Sequence, residues 1–366
     1  AQGGNSLRPK TIAPLRQLDS DAQMGFVRAM ALTSAFPALT LPEADHGGGL
    51  DAAAARWGGA RGDWLDLSTG INPVAYPLPP LPVDALTALP DRAALAALAA
   101  AARAFWRVPP GAGLLAAPGA SALIARIPAL RAPGRVLIPG PTYNEHARAF
   151  RSAGWTVIEA TAAAAAAGTQ AAPPADGPLA ATVIVHPNNP DGRRHPAPPA
   201  LPLTVIDESF CDIAPEDSHI ALADRPGTLI LKSFGKFWGL AGLRLGFALG
   251  DPALIAALGQ MIGPWAVSGP AIAAGTAALS DPAWAAATRA RLAADAARLD
   301  ALMQRAGAQP LGGTPLFRLY DTPDALAFQD RLARHRIWSR VFPYSARWLR
   351  LGLPGPHWPR LEAALA

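Results

Sequence analysis

The feature that most limits how this chain folds is a regular alternation through its middle. Short runs rich in Leu, Ile, Val and Thr recur at Leu114–Ala117, Arg135–Ile138, Thr156–Glu159, Thr182–His186, Leu203–Asp207, Thr228–Lys232 and Leu245–Leu249. Helical patterns lie between them at Ala93–Trp106, Ala120–Leu130 and Asn144–Ser152. Short apolar runs bounded by turn residues fit strands buried on both faces, and strands separated by amphipathic helices pair in parallel because each crossover returns the chain to the same edge. The pattern predicts an α/β domain built on a mostly parallel, seven-stranded sheet. From about Pro282 it changes to a long helix, Ala283–Ala306, a strand near Leu316–Leu319, a helix Ala325–Arg334 and short strands at Ile337–Val341 and Trp348–Leu351. That is the layout of a smaller α+β domain. Glu159–Ala181, with six consecutive alanines, reads as a low-complexity connection.

With 366 residues, 51% hydrophobic and 16% charged, the composition is globular and excludes disorder, collagen and coiled coil. The formal net charge of +5 comes mostly from arginine, since lysine occurs only at Lys10, Lys232 and Lys236. No basic run exceeds two residues, which argues against nucleic acid as a partner. A single cysteine, Cys211, excludes an intrachain disulfide framework and a cysteine-rich metal site. The histidines lack metal-ligand spacing, so no metal is expected. No segment matches a spanning helix, and the cytoplasm is the default location. Arg28 followed by Ala29–Leu41 loosely imitates a signal peptide, but Thr33 and Ser34 interrupt it and no cleavage site is convincing; residues 1–45 read as an N-terminal extension.

The most informative segment runs from Leu231 to Gly246. Lys236 lies in a Gly- and aromatic-rich turn after a strand, with Ser233 three residues before it and Arg244 eight after, a set that can converge on one anionic cofactor. A loop lysine is the plain alternative. In a chain that uses arginine almost everywhere, a retained lysine points to imine chemistry, which a desolvated amine can perform and a guanidinium cannot. Asp207 ends a hydrophobic strand, where an open α/β sheet presents ligands, and a carboxylate there can pair with a protonated pyridine nitrogen; a capping aspartate is the alternative. Asn189, in His186-Pro187-Asn188-Asn189-Pro190-Asp191-Gly192, offers an amide to a phenolate oxygen or simply forms a turn. Gly119, Ala120 and Ser121 follow a strand and open a helix, so free N–H groups and a hydroxyl can hold a phosphate. Tyr143 follows Arg135–Ile138, where its ring can stack on a planar cofactor or belong to the core.

In this order the segments resemble the fold-type I pyridoxal-phosphate enzymes, in the branch holding histidinol-phosphate aminotransferases and threonine-phosphate decarboxylases. The resemblance runs from about His46 to the C-terminus. It implies pyridoxal 5'-phosphate as cofactor, Lys236 as the lysine bonded to it, Asp207 on the pyridine nitrogen, Asn189 on the ring oxygen and Tyr143 stacked on the ring. Ser121, Ser233, Arg244 and the Gly119–Ala120 backbone would hold the cofactor phosphate. The organisation it implies is an extension at 1–45, an arm at 46–80 serving the small domain and substrate site, a large cofactor-binding domain at 81–275 and a small domain at 276–366. Active sites in such enzymes are usually built between two subunits, which implies a homodimer.

His46-Gly47-Gly48-Gly49-Leu50, followed by Trp64-Leu65-Asp66-Leu67-Ser68-Thr69-Gly70-Ile71-Asn72-Pro73, resembles the opening of the decarboxylases, which release carbon dioxide from L-threonine O-3-phosphate in cobalamin biosynthesis. Phe210 stands where many aminotransferases carry a tyrosine, leaving Asn189 alone on the ring oxygen. Arg340 and Arg350 sit on the two expected small-domain strands and, as planar forks, suit phosphate or carboxylate, though solvated surface arginine is the alternative. By resemblance His46, Asn72, Arg340 and Arg350 bind the phosphate and carboxylate of a small phosphorylated amino acid. The competing activity is a histidinol-phosphate aminotransferase using 2-oxoglutarate. A cofactor-binding regulator is a third reading, weakened because the first forty-five residues supply no convincing DNA-binding module.

Overall fold

The computed structural model describes residues 46–78, 80–160 and 177–366. The expected extension at 1–45 and most of the low-complexity connection lie outside these residues. Thirteen strands run through the described residues in chain order: β1 (Leu65–Asp66), β2 (Gly113–Ala117), β3 (Arg135–Pro139), β4 (Thr156–Ala160), β5 (Ala181–Val185), β6 (Leu203–Asp207), β7 (Thr228–Ser233), β8 (Gly246–Gly250), β9 (Gln309–Thr314), β10 (Phe317–Asp321), β11 (Ile337–Trp338), β12 (Arg340–Phe342) and β13 (Ser345–Gly352). Each expected strand of the large sheet is found within one residue of its expected limits.

Those seven strands form one sheet in the order β2-β8-β7-β6-β5-β3-β4. All neighbours pair in parallel except at β8, which is antiparallel to both β2 and β7. The sheet is covered on both sides, and the alternation of side chains along each strand divides them between two cores. Val183 of β5, Leu203 and Val205 of β6, and Leu229 and Leu231 of β7 pack with Ile124, Phe150 and Trp155 on one side. Ile184, Ile206, Ile230 and Phe247 pack with Leu98, Trp106, Phe234 and Trp238 on the other. All these side chains are buried, so reversing one strand's facing would exchange its apolar groups between the two cores and disrupt the packing of each.

Helices start where the sequence supplies an acceptor. The carboxylates of Asp91, Asp281 and Asp324 accept N–H bonds three residues on, opening helices Arg92–Trp106, Pro282–Arg305 and Ala325–Arg334. The single helix expected over 120–130 divides into helix Ala120–Ile124 and a 3-10 turn, Ile127–Leu130. Pro128 has no N–H to continue the α-helical bonding. Helices Leu50–Trp57, Pro252–Ile262, Gly269–Leu279 and Trp358–Leu365 were not legible as separate elements.

The C-terminal part carries an antiparallel sheet, β12-β13-β10-β9, and the arm joins this region through the parallel pair β1–β11, with Leu65 opposite Ile337. The stretch expected as one strand over 337–341 is two, β11 and β12, belonging to different sheets.

Candidate active site

The parallel strands deliver their functional residues to one edge. Asp207 ends β6, and Lys236 lies three residues beyond the end of β7. Asn189 lies four beyond β5, Tyr143 four beyond β3 and Gly119 two beyond β2. Arg244 reaches the same edge from the opposite direction, because β8 is antiparallel and begins two residues after it. An open sheet exposes the loops after its strands at this edge, where a ligand can be surrounded. Here they enclose a cavity of about 120 Å³ lined by Ala120, Ser121, Tyr143, Asn189, Asp207, Ser233, Lys236 and Arg244, with Phe210 and Ser209 completing the wall.

Lys236 and Asp207 carry opposite electrostatic settings. Burial, reinforced by the Arg350 and Arg244 charges, brings the Lys236 amine down to about 8, against the pull of Asp207 and Asp66. A neutral, nucleophilic amine is therefore accessible near neutral pH. Its Nζ lies 5.2 Å from the Phe210 ring centre. Asp207 is 2% exposed. Burial alone would raise its carboxyl, but bonds from His146 and Ser209 prevail and hold it below the ordinary range. His146 Nε2 lies 2.8 Å from Oδ2, while Ser209 donates its N–H to Oδ1 at 3.0 Å and its hydroxyl at 2.5 Å. The result is a fixed, ionised carboxylate at the cavity wall.

An anion cradle occupies the other end. Gly119 has φ +84, and a Cβ there would lie 2.6 Å from Arg244 Nη2. Gly246 lets β8 approach the same loop: its Cβ would fall 2.5 Å from the Ala120 amide nitrogen. These two glycines bring the guanidinium, the start of helix Ala120–Ile124 and the Ser121 hydroxyl together. Tyr143 shares a hydrogen bond with Ser121, and burial with the Asp207 and Glu145 charges pushes its phenol up to about 12, so it remains protonated. Together with Ser233, this donor set fits a phosphate, and Asp207, Asn189 and Lys236 fit a pyridine nitrogen, a ring oxygen and an aldehyde. The residues thus match the groups of pyridoxal phosphate.

Arg340 and Arg350 stand directly opposite each other on β12 and β13. Arg350 is buried; it donates to Asn189 Oδ1 and, at 2.6 Å, to the Ser68 carbonyl. Because the Asn189 carbonyl is held by Arg350, its amide N–H₂ remains the group available to the cavity. Arg340 donates to the His46 carbonyl at 2.6 Å, and the His46 ring meets Glu145 at 2.9 Å. Asn72 is placed differently from the expectation. It is buried, donates to the Phe237 carbonyl at 2.8 Å and accepts from Arg291 at 2.8 Å and from the Val74 N–H at 3.0 Å. Its own N–H bonds the Lys236 carbonyl. Asn72 therefore lies behind the lysine turn and is absent from the cavity lining.

Two features escaped the sequence reading. One is His146, buried on the first turns of helix Asn144–Ser152 and bonded to Asp207; its position three residues after Tyr143 is the only sequence signal. The other is an ionic cluster behind the cavity. Lys232 Nζ lies 2.6 Å from Glu208 and 3.5 Å from Asp212, all three buried. Glu208 also accepts from Ser218 Oγ and the His219 N–H, and Asp212 from the indoles of Trp106 and Trp238. Glu208 follows Asp207, and Lys232 precedes Ser233, so the cluster ties β6 to β7 beneath the chemistry. Among the described residues no metal-binding group of His, Cys, Asp and Glu occurs, and no helix is long and apolar enough to cross a membrane.

Comparison with known proteins gives the same lineage. Over 333 residues the chain is 41% identical to a threonine-phosphate decarboxylase of Pseudomonas aeruginosa, spanning 88% of this chain and 97% of that protein. It is 33% identical over 252 residues to a histidinol-phosphate aminotransferase of Mycobacterium tuberculosis strain H37Rv, spanning 64% and 67%. Its fold is shared with the histidinol-phosphate aminotransferase of Sinorhizobium meliloti solved in complex with pyridoxal-5'-phosphate, at TM-score 0.71, 21% identity and coverage of 92% and 98%. Residues 84–365 match the family described as aminotransferase class I and II. That match spans most of the chain and takes in all seven strands of the large sheet, so the chain belongs to the aminotransferase class I and II family.

Proposed function

We propose that this chain is a pyridoxal-phosphate-dependent lyase that converts L-threonine O-3-phosphate to (R)-1-amino-2-propanol O-2-phosphate and carbon dioxide in cobalamin biosynthesis. The observation that carries the chemistry is the meeting of a depressed lysine amine, Lys236, and an ionised carboxylate, Asp207, in one cavity with an anion cradle. The near end-to-end match to a threonine-phosphate decarboxylase supports the choice of substrate.

When bound, pyridoxal phosphate supplies an electron-withdrawing ring that accepts the electron pair released at the substrate's Cα. The chain's own residues do the remainder. Gly119, Ala120, Ser121, Ser233 and Arg244 would hold the cofactor phosphate, Tyr143 would flank the ring, and the Asn189 amide would donate to the ring oxygen. The fixed Asp207 carboxylate stabilises a positive charge on the pyridine nitrogen. Lys236 Nζ would be the amine that holds the cofactor through its aldehyde carbon, and Lys236 or water would supply the proton to Cα. Arg340, Arg350 and His46 bind the substrate's carboxylate and phosphate. The groups that hold the substrate's carboxylate would set which bond to Cα breaks, and so would select decarboxylation over proton removal. Asn72 supports this arrangement from behind, through the Lys236 turn.

The same reading makes the enzyme a cytoplasmic homodimer. Val83, Leu86 and Leu89 are 75%, 71% and 66% exposed on one segment, beside an apolar groove lined by Ala85, Ala88, Ile272 and Ala273, a surface suited to a second subunit. Single-substrate turnover tests the activity. Purified enzyme loaded with pyridoxal phosphate and given L-threonine O-3-phosphate without an oxo acid should release carbon dioxide and aminopropanol phosphate in equal amounts, and Lys236→Ala should abolish this. Turnover of histidinol phosphate only with 2-oxoglutarate would instead assign the aminotransferase reaction.

A further inference from the structure

Beside the cofactor cavity lies a second recess of about 490 Å³, and Ser121, Ile124 and Tyr143 line both. His46 and Glu145 face each other on its wall, His46 from the arm and Glu145 from the first turn of helix Asn144–Ser152. We propose that Glu145 is a positioning residue that makes His46 a phosphate ligand, by fixing its imidazole at this recess. The inference rests on the reading of His46 as a substrate-binding residue.

The geometry carries it. A carboxylate only accepts, so at 2.9 Å from Glu145 Oε1 the His46 Nε2 must bear a hydrogen and donate it. With Nε2 committed to Glu145, Nδ1 is the ring nitrogen left for a phosphate, to which it donates when protonated. The position of His46 is defined at three points: Glu145 holds the ring, Arg340 donates to its carbonyl, and the Tyr143 ring lies 5.7 Å away, centre to centre. The arm is tied down next to it, with the Gly48 N–H donating to Ser68 Oγ at 2.7 Å and Ser68 Oγ to Asp66 at 2.6 Å. Arg148 Nη1 lies 3.3 Å from the same Glu145 oxygen, so the carboxylate is shared between His46 and Arg148 rather than directed at an incoming phosphate.

The proposal reverses the sign that a simple charge argument gives. If Glu145 were merely a negative charge near a phosphate site, its neutralisation would tighten phosphate binding. If it works through His46, neutralisation weakens binding. The side chains of His46 and Glu145 are 32% and 27% exposed, so conservative substitutions leave no deeply buried partner stranded. The experiment uses holoenzyme of the unaltered protein, Glu145→Gln, His46→Asn and the double variant. It measures KM and kcat for L-threonine O-3-phosphate and, by calorimetry, the affinity for inorganic phosphate. In Glu145→Gln we expect KM and the phosphate Kd to rise by about three- to tenfold, the range for a partly exposed charged bond, with kcat changed much less. The double variant should be no weaker than His46→Asn alone. Unchanged or tighter phosphate binding in Glu145→Gln, or additive losses in the double variant, would overturn the proposal. If His46→Asn itself leaves phosphate affinity unaltered, the assignment of His46 fails and the proposal fails with it. If His46→Asn weakens binding while Glu145→Gln does not, only the role of Glu145 is refuted.

Discussion

Replacing His146 by leucine should expose how strongly the fold holds the Asp207 carboxylate ionised. The substitution places an apolar side chain in a site that is 1% exposed and removes the 2.8 Å contact to Asp207 Oδ2. Ser209 continues to bond Oδ1, so one carboxylate oxygen retains its partners and the other loses its own. A charge-assisted bond removed from inside a protein costs about 1.5–3 kcal/mol, and a buried carboxylate left short of a partner favours the upper part of that range. The pH dependence has a definite sign. Asp207 titrates below its ordinary value in the folded protein, so its contribution to stability is complete above the unfolded value near 3.8 and is lost as pH falls through the folded value. Without His146, desolvation is less opposed, the folded value rises, and acid unfolding should begin at higher pH. Urea unfolding followed by tryptophan fluorescence at neutral pH, repeated toward pH 4, measures both effects. Two further variants identify the cause. His146→Gln, which can donate from its amide, should recover part of the loss. Adding Asp207→Asn to His146→Leu should relieve it, because the unpaired charge is then gone. A loss below about 0.5 kcal/mol, within the range of ordinary surface changes, together with an unmoved acid transition, would refute the reasoning.

Other perturbations test the rest of the site. Lys232→Met leaves Glu208 and Asp212 buried without their common cation and should cost about 3–5 kcal/mol in urea unfolding; Lys232→Met with Glu208→Gln should be milder than Lys232→Met alone. The rate at which the cofactor-free protein captures pyridoxal phosphate should rise with pH through a midpoint near 8, following the Lys236 amine. Arg350→Met removes a charge that depresses this amine and should move the midpoint upward, whereas an unchanged midpoint would show that Arg350 plays no part in the depression. Gly119→Ala combines a positive φ with a Cβ 2.6 Å from Arg244 Nη2, so it should displace the guanidinium and weaken cofactor binding by about tenfold or more, read as Kd by fluorescence titration.

The large sheet was readable because its strands are short, apolar and separated by helices, and covering both faces demands that pattern. Elements without a contrast between faces were harder to read. Helix Gly269–Leu279 buries Ala271, Ile272, Ala274, Gly275, Ala278 and Leu279, leaving too little polar face to mark a helical period. Strand β9, Gln309-Pro310-Leu311-Gly312-Gly313-Thr314, contains the residues that ordinarily signal a turn. It pairs with β10 through an irregular register at the edge of its sheet, where proline and glycine are tolerated.

Within the site, legibility followed chemical rarity. Lys236 stands out in an arginine-rich chain, and Asp207 at the end of an apolar strand, so each had a local signature. His146 and Lys232 had none. One looks like an ordinary polar residue on an amphipathic helix, the other like the charged terminus of a strand. Their roles arise when distant segments meet: His146 with Asp207 across 61 positions, and Lys232 with Glu208 across 24. The same distinction explains Asn72. The family resemblance implied a ligand there, but the return of Phe237 and Arg291 to its side chain uses both ends of the amide. Reaction groups can be inferred from local chemistry in this fold, whereas the groups that fix their charge and position depend on which strands become neighbours. The antiparallel course of β8 is the clearest case, since reversing that strand would carry Arg244 to the far edge of the sheet and leave the Gly119–Ser121 cradle without its guanidinium.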